Sequence, residues 1–414
     1  MSTNTLTTAD GLFKQVYGDL NDLTPDGRYF CKEIPNGKGT ATGGIYRVPQ
    51  VLSSEQGFTK AAPSSTAYAL NSPIAGSIKY ADVSPYNFSL RVAYATEAIR
   101  RSSEGKEVFT SLTKQQTKNA VKTAYNQQEQ DIMWGQAGIG IVGTASSGTV
   151  CIISTASFAP GLWWGSEGMK LYVYDSTIAV LKGTCSVVSY DIEARTVTVD
   201  AFPAGYVAGD VLSTSPISDQ MVGMNTMLTA TSSTTLFNIP CSNNLWRPAT
   251  AFNVGGALSF DKLFSAITRG FNRGLGDDIS EFDVILSSRS WNNLNQDAAA
   301  IRKSDYSYKS NKFENGHEVL EMFTNAGTAR IIAHKMMKEG EGFITPRASK
   351  CFEKLGADTT PMFGLDTDGR AAGTQYLRRM ENAEGYESRI YWNTGIFSSY
   401  ISQFVKLTGI VNND

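Results

Sequence analysis

Residues 106–134 read KEVFTSLTKQQTKNAVKTAYNQQEQDIMW and contain neither glycine nor proline. Apolar residues recur through this stretch at the three- and four-residue spacing of one helix face. They form three groups, which are Val108, Phe109 and Leu112; Ala120, Val121, Ala124 and Tyr125; and Ile132 and Met133. The pattern predicts a single helix of roughly 43 Å, at about 1.5 Å of rise per residue.

The sequence GIGIVG follows at residues 138–143 and matches the G-x-G-x-x-G spacing of a dinucleotide-binding loop. Such a loop needs a strand before the glycines and a helix after them, because the helix N-terminus binds the pyrophosphate. Here the predicted order is helix, glycines, strands, and no acidic residue follows before Glu167. We expect no cofactor and interpret Gly138, Gly140 and Gly143 as a hinge, with the helix ending within a few residues of Trp134.

Two segments before the helix lack the apolar content to fold alone. Residues 1–42 are polar and glycine-rich and are interpreted as an N-terminal arm. Residues 43–95 are predicted to form a long hairpin, with GIYRVPQVL (44–52) as one strand and 77–95 as the return. An isolated hairpin is marginally stable, so we expect both segments to lie on another surface, in this chain or a neighbour. The side chains predicted to make assembly contacts are Phe58, Lys60, Tyr68 and Tyr86.

Residues 138–215 carry short strand patterns separated by glycines, which predicts an inserted small β-barrel or sandwich. The candidate strands are TVCIIS (149–154), KLYVYD (170–175), TIAVL (177–181), CSVVSYD (185–191) and TVTVD (196–200).

Residues 216–350 alternate helical and strand patterns, which predicts a mixed α/β region. A helix is predicted over 257–271 with Ser259 as its N-cap, and the strand EFDVILSS (281–288) leads into a second helix. Further strands are predicted at 328–334 and 340–345, and an aromatic, β-branched sheet region at 388–411.

Composition limits the function classes. Charged residues make up 18% of the 414 residues and the formal net charge is −2, so the overall charge predicts no tight, salt-dependent binding of nucleic acid. A low charged fraction suits a protein that lies among neighbours, because charge is depleted at interface centres. The cysteines at 31, 151, 185, 241 and 351 form no C-x-x-C pair, so neither a zinc site nor a disulfide framework is predicted. We also expect neither a signal peptide nor a membrane span.

No group of residues in the sequence points to catalysis. His317 lacks a second His at zinc-helix spacing, and His334 ends a predicted strand. The carboxylate pairs Asp277–Asp278 and Glu339/Glu341 lie in predicted turns instead of across a sugar cleft. Trp163–Trp164 suits stacking on a sugar or base, although in a β module such a pair is more often core. The sequence favours a structural protein over an enzyme, with no catalytic, cofactor or metal site.

The order of these elements resembles the major capsid protein of tailed bacteriophages of the Hong Kong 97 type. The resemblance rests on the hairpin, the helix 106–134, EFDVILSSRSWNNL (281–294) and IIAHKMMKEGEGFI (331–344). It implies an α+β capsid fold with an added small β domain. The implied divisions are the N-terminal arm (1–42), extended hairpin loop (43–95), peripheral domain with its spine helix (96–137), inserted β domain (138–215), axial α/β domain (216–350) and return strands (351–414).

The resemblance further implies a shell subunit that assembles into hexamers and pentamers of an icosahedral capsid around double-stranded DNA. The hairpin would lie across one neighbour and the arm beneath another. Portal, scaffolding and decoration proteins are implied partners, packaged DNA would be contacted without sequence specificity, and no membrane is involved. The implied location is the virion capsid, after assembly in the host bacterial cytoplasm. Lys60 and Lys79 are not assigned to covalent crosslinking, because a partner Asn and an activating acid cannot be matched. About 100 residues precede the helix, so we expect no long cleaved scaffold in this chain.

Two other classes fit parts of the sequence. An encapsulin-like bacterial compartment would share the fold and enclose an enzyme cargo. A carbohydrate-binding or carbohydrate-active protein would depend on the Trp-rich β module. Particle morphology and particle content separate these classes from a phage capsid.

Overall fold

A computed structural model describes residues 28–37, 39, 44–63, 67–96, 106–144, 148–304, 319–363, 378–380 and 384–412. Its helices are α1 (Phe30–Glu33), α2 (Lys106–Trp134), α3 (Pro160–Trp163), α4 (Met224–Leu228), α5 (Phe260–Phe271), α6 (Ser288–Ser304) and α7 (Ala348–Cys351). The strands up to residue 240 are β1 (Tyr46–Ser53), β2 (Ser77–Val83), β3 (Tyr86–Ala95), β4 (Gly140–Ile141), β5 (Val150–Ile152), β6 (Lys170–Tyr174), β7 (Leu181–Asp191), β8 (Thr196–Val199), β9 (Val211–Ser213), β10 (Thr235–Leu236) and β11 (Ile239–Pro240). The later strands are β12 (Phe252–Gly256), β13 (Glu281–Leu286), β14 (Val319–Thr324), β15 (Gly327–Ala333), β16 (Gly342–Pro346), β17 (Phe352–Leu355), β18 (Met362–Phe363), β19 (Arg378–Arg379), β20 (Gly385–Ser398) and β21 (Val405–Ile410).

Helix α2 ends at Trp134, which confirms the predicted helix and its C-terminal end. Its last turns are buried, and the Trp134 ring lies 5.3 Å from that of Phe343 in the largest apolar core. The helix stops there because Gln136 and Gly138 both take positive φ, at 63° and 70°, outside the helical region.

A six-stranded mixed sheet occupies the later part of the chain, in the order β12-β21-β16-β13-β15-β14. Strand β13 runs parallel to β15 and antiparallel to β16, and it is buried along most of its length. Helices α5 and α6 cover one face, where Leu263 and Leu294 join Val284 in a second core. The predicted cap of α5 is present, since the Ser259 side chain accepts from the Lys262 N–H.

The long strand β20 organises another sheet, because β3, β17, β18 and β19 all pair with it. Along β3 the pairing runs without a break from Tyr86↔Thr394 to Ala95↔Gly385. The middle of α2 packs on this sheet through Ala120 and Ala124, which meet Ile390 and Trp392 in a small separate core.

Strands β4 to β9 form a six-stranded antiparallel sheet in the order β4-β9-β6-β7-β8-β5. The ends of this order also meet, because Gly143 N–H donates to the Ile152 carbonyl at 2.7 Å and Ser154 N–H to that of Ile141 at 2.8 Å. The sheet therefore closes on itself as a small barrel, which removes its edges. Its core contains Cys151, Leu171, Val173, Val197 and Leu212.

One strand prediction in this region is wrong. The sequence TIAVL (177–181) forms a turn, and β7 begins only at Leu181. The Asp175 carboxylate accepts from the Ala179 and Val180 N–H groups at 2.8 and 2.9 Å, and Ile178 takes a φ of 61°. An Asp side chain that bonds nearby backbone in this way stabilises a turn, which here outweighs the strand preference of the apolar residues.

Candidate assembly surface

The predicted hairpin is present, but its return strand is divided. Strand β1 pairs with β2 from Tyr46↔Val83 to Ser53↔Ser77. The chain then leaves the hairpin at Ser84 and Pro85, and β3 joins β20 instead. Proline has no N–H to continue a ladder, so it suits the point where the chain changes sheets. The prediction of one continuous return over 77–95 is therefore corrected to two strands.

The base of the hairpin is fixed to the body of the protein. Asp82 N–H donates to the Phe237 carbonyl at 2.9 Å, and its carboxylate accepts from Asn238 at 3.0 Å. On β1, the Leu52 carbonyl accepts from the Asn243 side chain at 3.1 Å. Ala81 and Val83 are fully buried in the large core. One face of the hairpin is therefore held on the body from Ala81 and Val83 at the base to Leu52 near the end of β1.

The opposite face of the hairpin is apolar and turned away from the body. Cross-strand pairing sets Pro49 opposite Tyr80 and Val51 opposite Ile78, with all four side chains exposed. Val51, Ile78 and Tyr80 are 60–67% exposed. We call these four residues the outer face. Monomeric soluble proteins rarely expose contiguous apolar patches of this kind, and such patches mark interaction sites.

The segment 54–76, which we call the tip, carries more exposed apolar side chains. They are Phe58 (77% exposed), Tyr68 (61%), Leu70 (78%) and Ile74 (61%). The described part of the tip has its own hydrogen bonds: Gln56 and Ile74 exchange two backbone bonds at 2.9 Å, and Asn71 donates to the Phe58 carbonyl at 2.6 Å. The tip therefore presents its apolar residues on a folded loop.

Three of the four predicted contact residues lie together and one does not. Phe58, Lys60 and Tyr68 are all exposed on the tip. Tyr86 lies on β3, where it is half-buried and packs against the large core of its own chain. Sequence reasoning missed Val51, Leu70, Ile74, Ile78 and Tyr80. The alternation of side chains along β1 predicts that Val51 faces away from the core, because Tyr46 and Leu52 face it.

The three predicted hinge glycines lie where the chain passes from α2 into the barrel. A side chain at Gly140 would meet the Trp163 ring at 3.1 Å, and one at Gly143 would lie 2.8 Å from the Ile152 carbonyl. The segment that leaves the barrel runs beside the segment that enters it, and Gly223 N–H donates to the Gly135 carbonyl at 3.2 Å. Glycine is therefore required at Gly140 and Gly143 because neighbouring atoms leave no room for a side chain, in addition to the change of chain direction at the end of α2. Their role as a hinge stays a prediction.

A buried carboxylate holds the first described residues on α2. We call residues 28–37, which include α1, the docked segment. The Glu129 carboxylate is fully buried and accepts from the backbone N–H groups of Tyr29, Phe30 and Cys31 at 3.1, 2.6 and 2.7 Å. His334 lies 3.2 Å from the same carboxylate. Its Nδ1 accepts from Met336 N–H, so Nε2 carries the hydrogen and donates to Glu129.

Side chains from the mixed sheet and β17 hold the docked segment from other sides. Arg330 donates to the Tyr29 hydroxyl at 2.8 Å and pairs with buried Asp283 at 2.9 Å. Lys354 donates to the Cys31 carbonyl at 2.7 Å. Burial raises the pKa of the Tyr29 hydroxyl, so it stays protonated. Glu129 was not predicted as a functional residue, because in the sequence it is only an acidic residue next to the apolar end of α2.

A second polar cluster lies at the C-terminal end of α2. Asp131 is buried and accepts from Gln127 at 3.2 Å, and burial raises the pKa of its carboxyl to about 7. Lys338 is also buried, with its ammonium 4.0 Å from the Trp134 ring centroid and 3.0 Å from the Gly138 carbonyl. Burial lowers the pKa of Lys338 to about 8. These groups secure the passage between helix and barrel.

The residues considered for catalysis have structural partners or lie in turns. Asp277 and Asp278 are exposed in a turn, and Glu341 pairs with Lys406 at 2.9 Å. Trp163 is 1% exposed in the core, which leaves it no face for a sugar. His317 lies outside the described residues. Across the described ranges, no group of three or more His, Cys, Asp or Glu side chains is arranged to hold a metal ion.

The sequence matches no protein-family model and no curated protein. Among solved structures, a chain of the cyanophage A-1(L) capsid asymmetric unit is similar over 98% of this chain and 99% of that chain, with a TM-score of 0.53 and 10% identity. The capsid of cyanophage P-SCSP1u gives a TM-score of 0.46 and 10% identity, covering 100% of this chain and 97% of that one. The capsid of the native GTA particle gives 0.46 and 9%, covering 99% and 100%.

The first of these similarities spans nearly the whole of both chains. The chain therefore has the fold of a phage capsid protein, and the predicted resemblance is confirmed at the level of fold. Within the described part of the chain, no helix combines the length and apolar character needed to cross a bilayer.

Proposed function

We propose that this chain is the major capsid protein of a tailed bacteriophage, a structural and non-enzymatic subunit. In this proposal it assembles into hexamers and pentamers of an icosahedral shell that encloses packaged double-stranded DNA. The observation that carries the proposal is the apolar surface of the hairpin, formed by the outer face and the tip, which has no partner surface within the described chain.

The energetics of that surface favour association. Seven large apolar side chains there are each 60–78% exposed. Burying one such side chain contributes about 1.5–3 kcal/mol. The gain is multiplied when every copy offers the same surface to a neighbour, as in a closed ring. Fixing the base of the hairpin to the body lowers the entropy lost on docking, because the surface is already oriented.

The finer divisions belong to the same proposal. Residues 1–42 would be the N-terminal arm and 43–95 the extended loop region, whose paired part is β1 and β2. Helix α2 would be the spine helix of the peripheral domain, 216–350 the axial domain and 351–414 the return strands. The barrel region, 138–215, would be an inserted domain. Portal, scaffolding and decoration proteins would bind the assembled shell, which forms in the host cytoplasm.

The proposal is tested by expressing the full chain and viewing the product by negative-stain electron microscopy. We expect closed shells or hexamer sheets. The triple variant Phe58→Ser, Leu70→Ser, Ile78→Ser should fold and yield single subunits or small oligomers. The matched control is Val188→Ser, Val207→Ser on the barrel, which removes exposed apolar side chains of 57% and 56% exposure and should leave shells intact.

Two results would contradict the proposal. One is a wild-type chain that stays a small monomer at high concentration. The other is shell formation by the hairpin triple variant at the wild-type yield. Particles from the natural source should contain nuclease-protected double-stranded DNA. Particles that contain an enzyme instead would identify a compartment shell and would refute the proposal that the shell encloses double-stranded DNA.

A further inference from the structure

A small cavity with three basic side chains in its lining lies where the docked segment, α2 and β17 meet. It has a volume of about 170 Å³. At roughly 30 Å³ per water, it has room for about as many waters as a phosphate group has non-hydrogen atoms. The cavity is separate from the hairpin surface and none of the roles assigned above uses it.

The side chains around the cavity suit an anion. Arg28, Lys32 and Lys354 supply cations, and Thr360 and Gln128 supply polar groups. Among the residues that the structure describes, neither Asp nor Glu lines the cavity. A nearby carboxylate, Glu129, is occupied by backbone N–H groups, including that of Cys31, and burial lowers the pKa of the Lys354 ammonium although the Glu129 charge partly offsets that effect. Burial raises the pKa of the Cys31 thiol, so this lining group stays neutral and adds no negative charge.

Lys354 is the deepest of the three cations. It is 6% exposed, and its ammonium donates to the Cys31 carbonyl at 2.7 Å. Within the described residues this is its only hydrogen bond, so two of its N–H groups remain for a ligand. A buried ammonium with spare donors is unfavourable unless an acceptor reaches it. An anion in the cavity supplies that acceptor.

Arg28 and Lys32 flank the opening. The Arg28 guanidinium lies 5.1 Å from the Tyr125 ring centroid, which holds it beside α2, and Lys32 is exposed. Lys118 and Lys122 precede Tyr125 on the same face of α2, at helical spacing of seven and three residues. The basic side chains therefore form a row that runs from the cavity along α2. A row of cations can bind several successive phosphates of a polymer, whereas a single free ion would use only one site.

We propose that this cavity binds a backbone phosphate of nucleic acid, with Lys354 at its floor and Arg28 and Lys32 at its rim. The inference rests on the proposed function for the source of the nucleic acid. Because the phosphate bridges α2, β17 and the docked segment, its binding also stabilises the docked segment on the body. The contact reads no sequence, since it reaches only the backbone.

The test uses the full chain, with inorganic phosphate and a 20-base-pair DNA duplex as probes. Lys32→Gln changes an exposed residue and should fold, and Arg28→Gln with Lys32→Gln removes the rim. Lys170→Gln is the control, because Lys170 is exposed, as Lys32 is, and lies 5.1 Å from the Tyr172 ring on the barrel, the same distance as the Arg28 guanidinium from the Tyr125 ring. Circular dichroism checks that each variant is folded.

We expect millimolar phosphate to raise the Tm of the wild type, and the double variant to bind phosphate at least about tenfold more weakly. The slope of log K for DNA against log salt should become less steep by about one unit in the double variant and stay unchanged in Lys170→Gln. An unchanged DNA slope in the double variant overturns the proposal, even if free phosphate still binds. Electron microscopy of the same variants reports shell assembly separately, so failure of the shell proposal is distinguishable.

Discussion

The Glu129 carboxylate offers a sharp test of how the docked segment is held. In Glu129→Gln one carboxylate oxygen becomes an NH₂ group, which cannot accept a hydrogen bond. Either the Cys31 N–H or the Tyr29 and Phe30 N–H groups then face a donor. Losing one hydrogen bond to a charged group costs about 1.5–3 kcal/mol, and leaving a buried donor unpaired adds about 1–3 kcal/mol.

At the lower end of the combined range, these contributions give a local destabilisation of about 2.5 kcal/mol. If the docked segment opens separately from the sheets, amide exchange over residues 29–34 should accelerate about 70-fold. Exchange along β13 should stay as slow as in the wild type. Hydrogen–deuterium exchange with mass spectrometry measures both regions in one sample.

The matched control is Glu167→Gln, since Glu167 is exposed on the barrel and the substitution should change stability by less than about 0.5 kcal/mol. A change of less than about threefold over residues 29–34 in Glu129→Gln would refute the reasoning. So would equal acceleration in every sheet, because it would mean that the docked segment unfolds only with the whole protein.

Three other perturbations test the end of α2, the barrel and the hairpin. Burial raises the pKa of Asp131 to about 7, above its unfolded value of 3.8, so its penalty grows as pH rises between these values. Urea unfolding should therefore show Asp131→Asn gaining about 3 kcal/mol relative to wild type between pH 5 and pH 8, and a difference that does not depend on pH would exclude Asp131 as the cause. Gly143→Ala places a methyl 2.8 Å from the Ile152 carbonyl and should destabilise the barrel by about 1–3 kcal/mol in thermal melts. A neutral result there would favour a mobile hinge over a packed joint. The hairpin triple variant and its barrel control test assembly through particle images, as described above.

Local patterns in the sequence were sufficient to predict much of the fold. Helix α2 was predictable to its last residue because a long stretch without glycine or proline has apolar residues at helical spacing and then meets glycines. Strands β13, β15 and β16 followed from short β-branched stretches between turn residues. The prediction failed at 177–181, where one Asp side chain overrode the apolar pattern, and at Pro85, where the chain changes sheets.

The candidate sites were less predictable, for a physical reason. The exposed tip residues could be named because a hairpin that cannot stabilise itself must offer apolar side chains to something else. Glu129 could not be named, because its partners at residues 29–31 lie about 100 positions away in the chain. The same holds for the phosphate cavity, whose cations come from residues 28, 32 and 354. Contacts of this separation leave no periodic trace in a single sequence.

The attachment of the barrel has a mechanical consequence. The hydrogen bond between Gly223 and Gly135 joins the two chain segments that connect the barrel to the body. A second set of backbone hydrogen bonds lies elsewhere: Gly161 N–H donates to the Lys335 carbonyl at 3.0 Å, and Glu339 N–H donates to the Phe158 carbonyl at 2.9 Å. Two separated attachments restrict rotation about either one. A torque applied to the barrel therefore passes directly into α2 and the mixed sheet. A fluorophore or gold label on the barrel would report the tilt of the whole subunit.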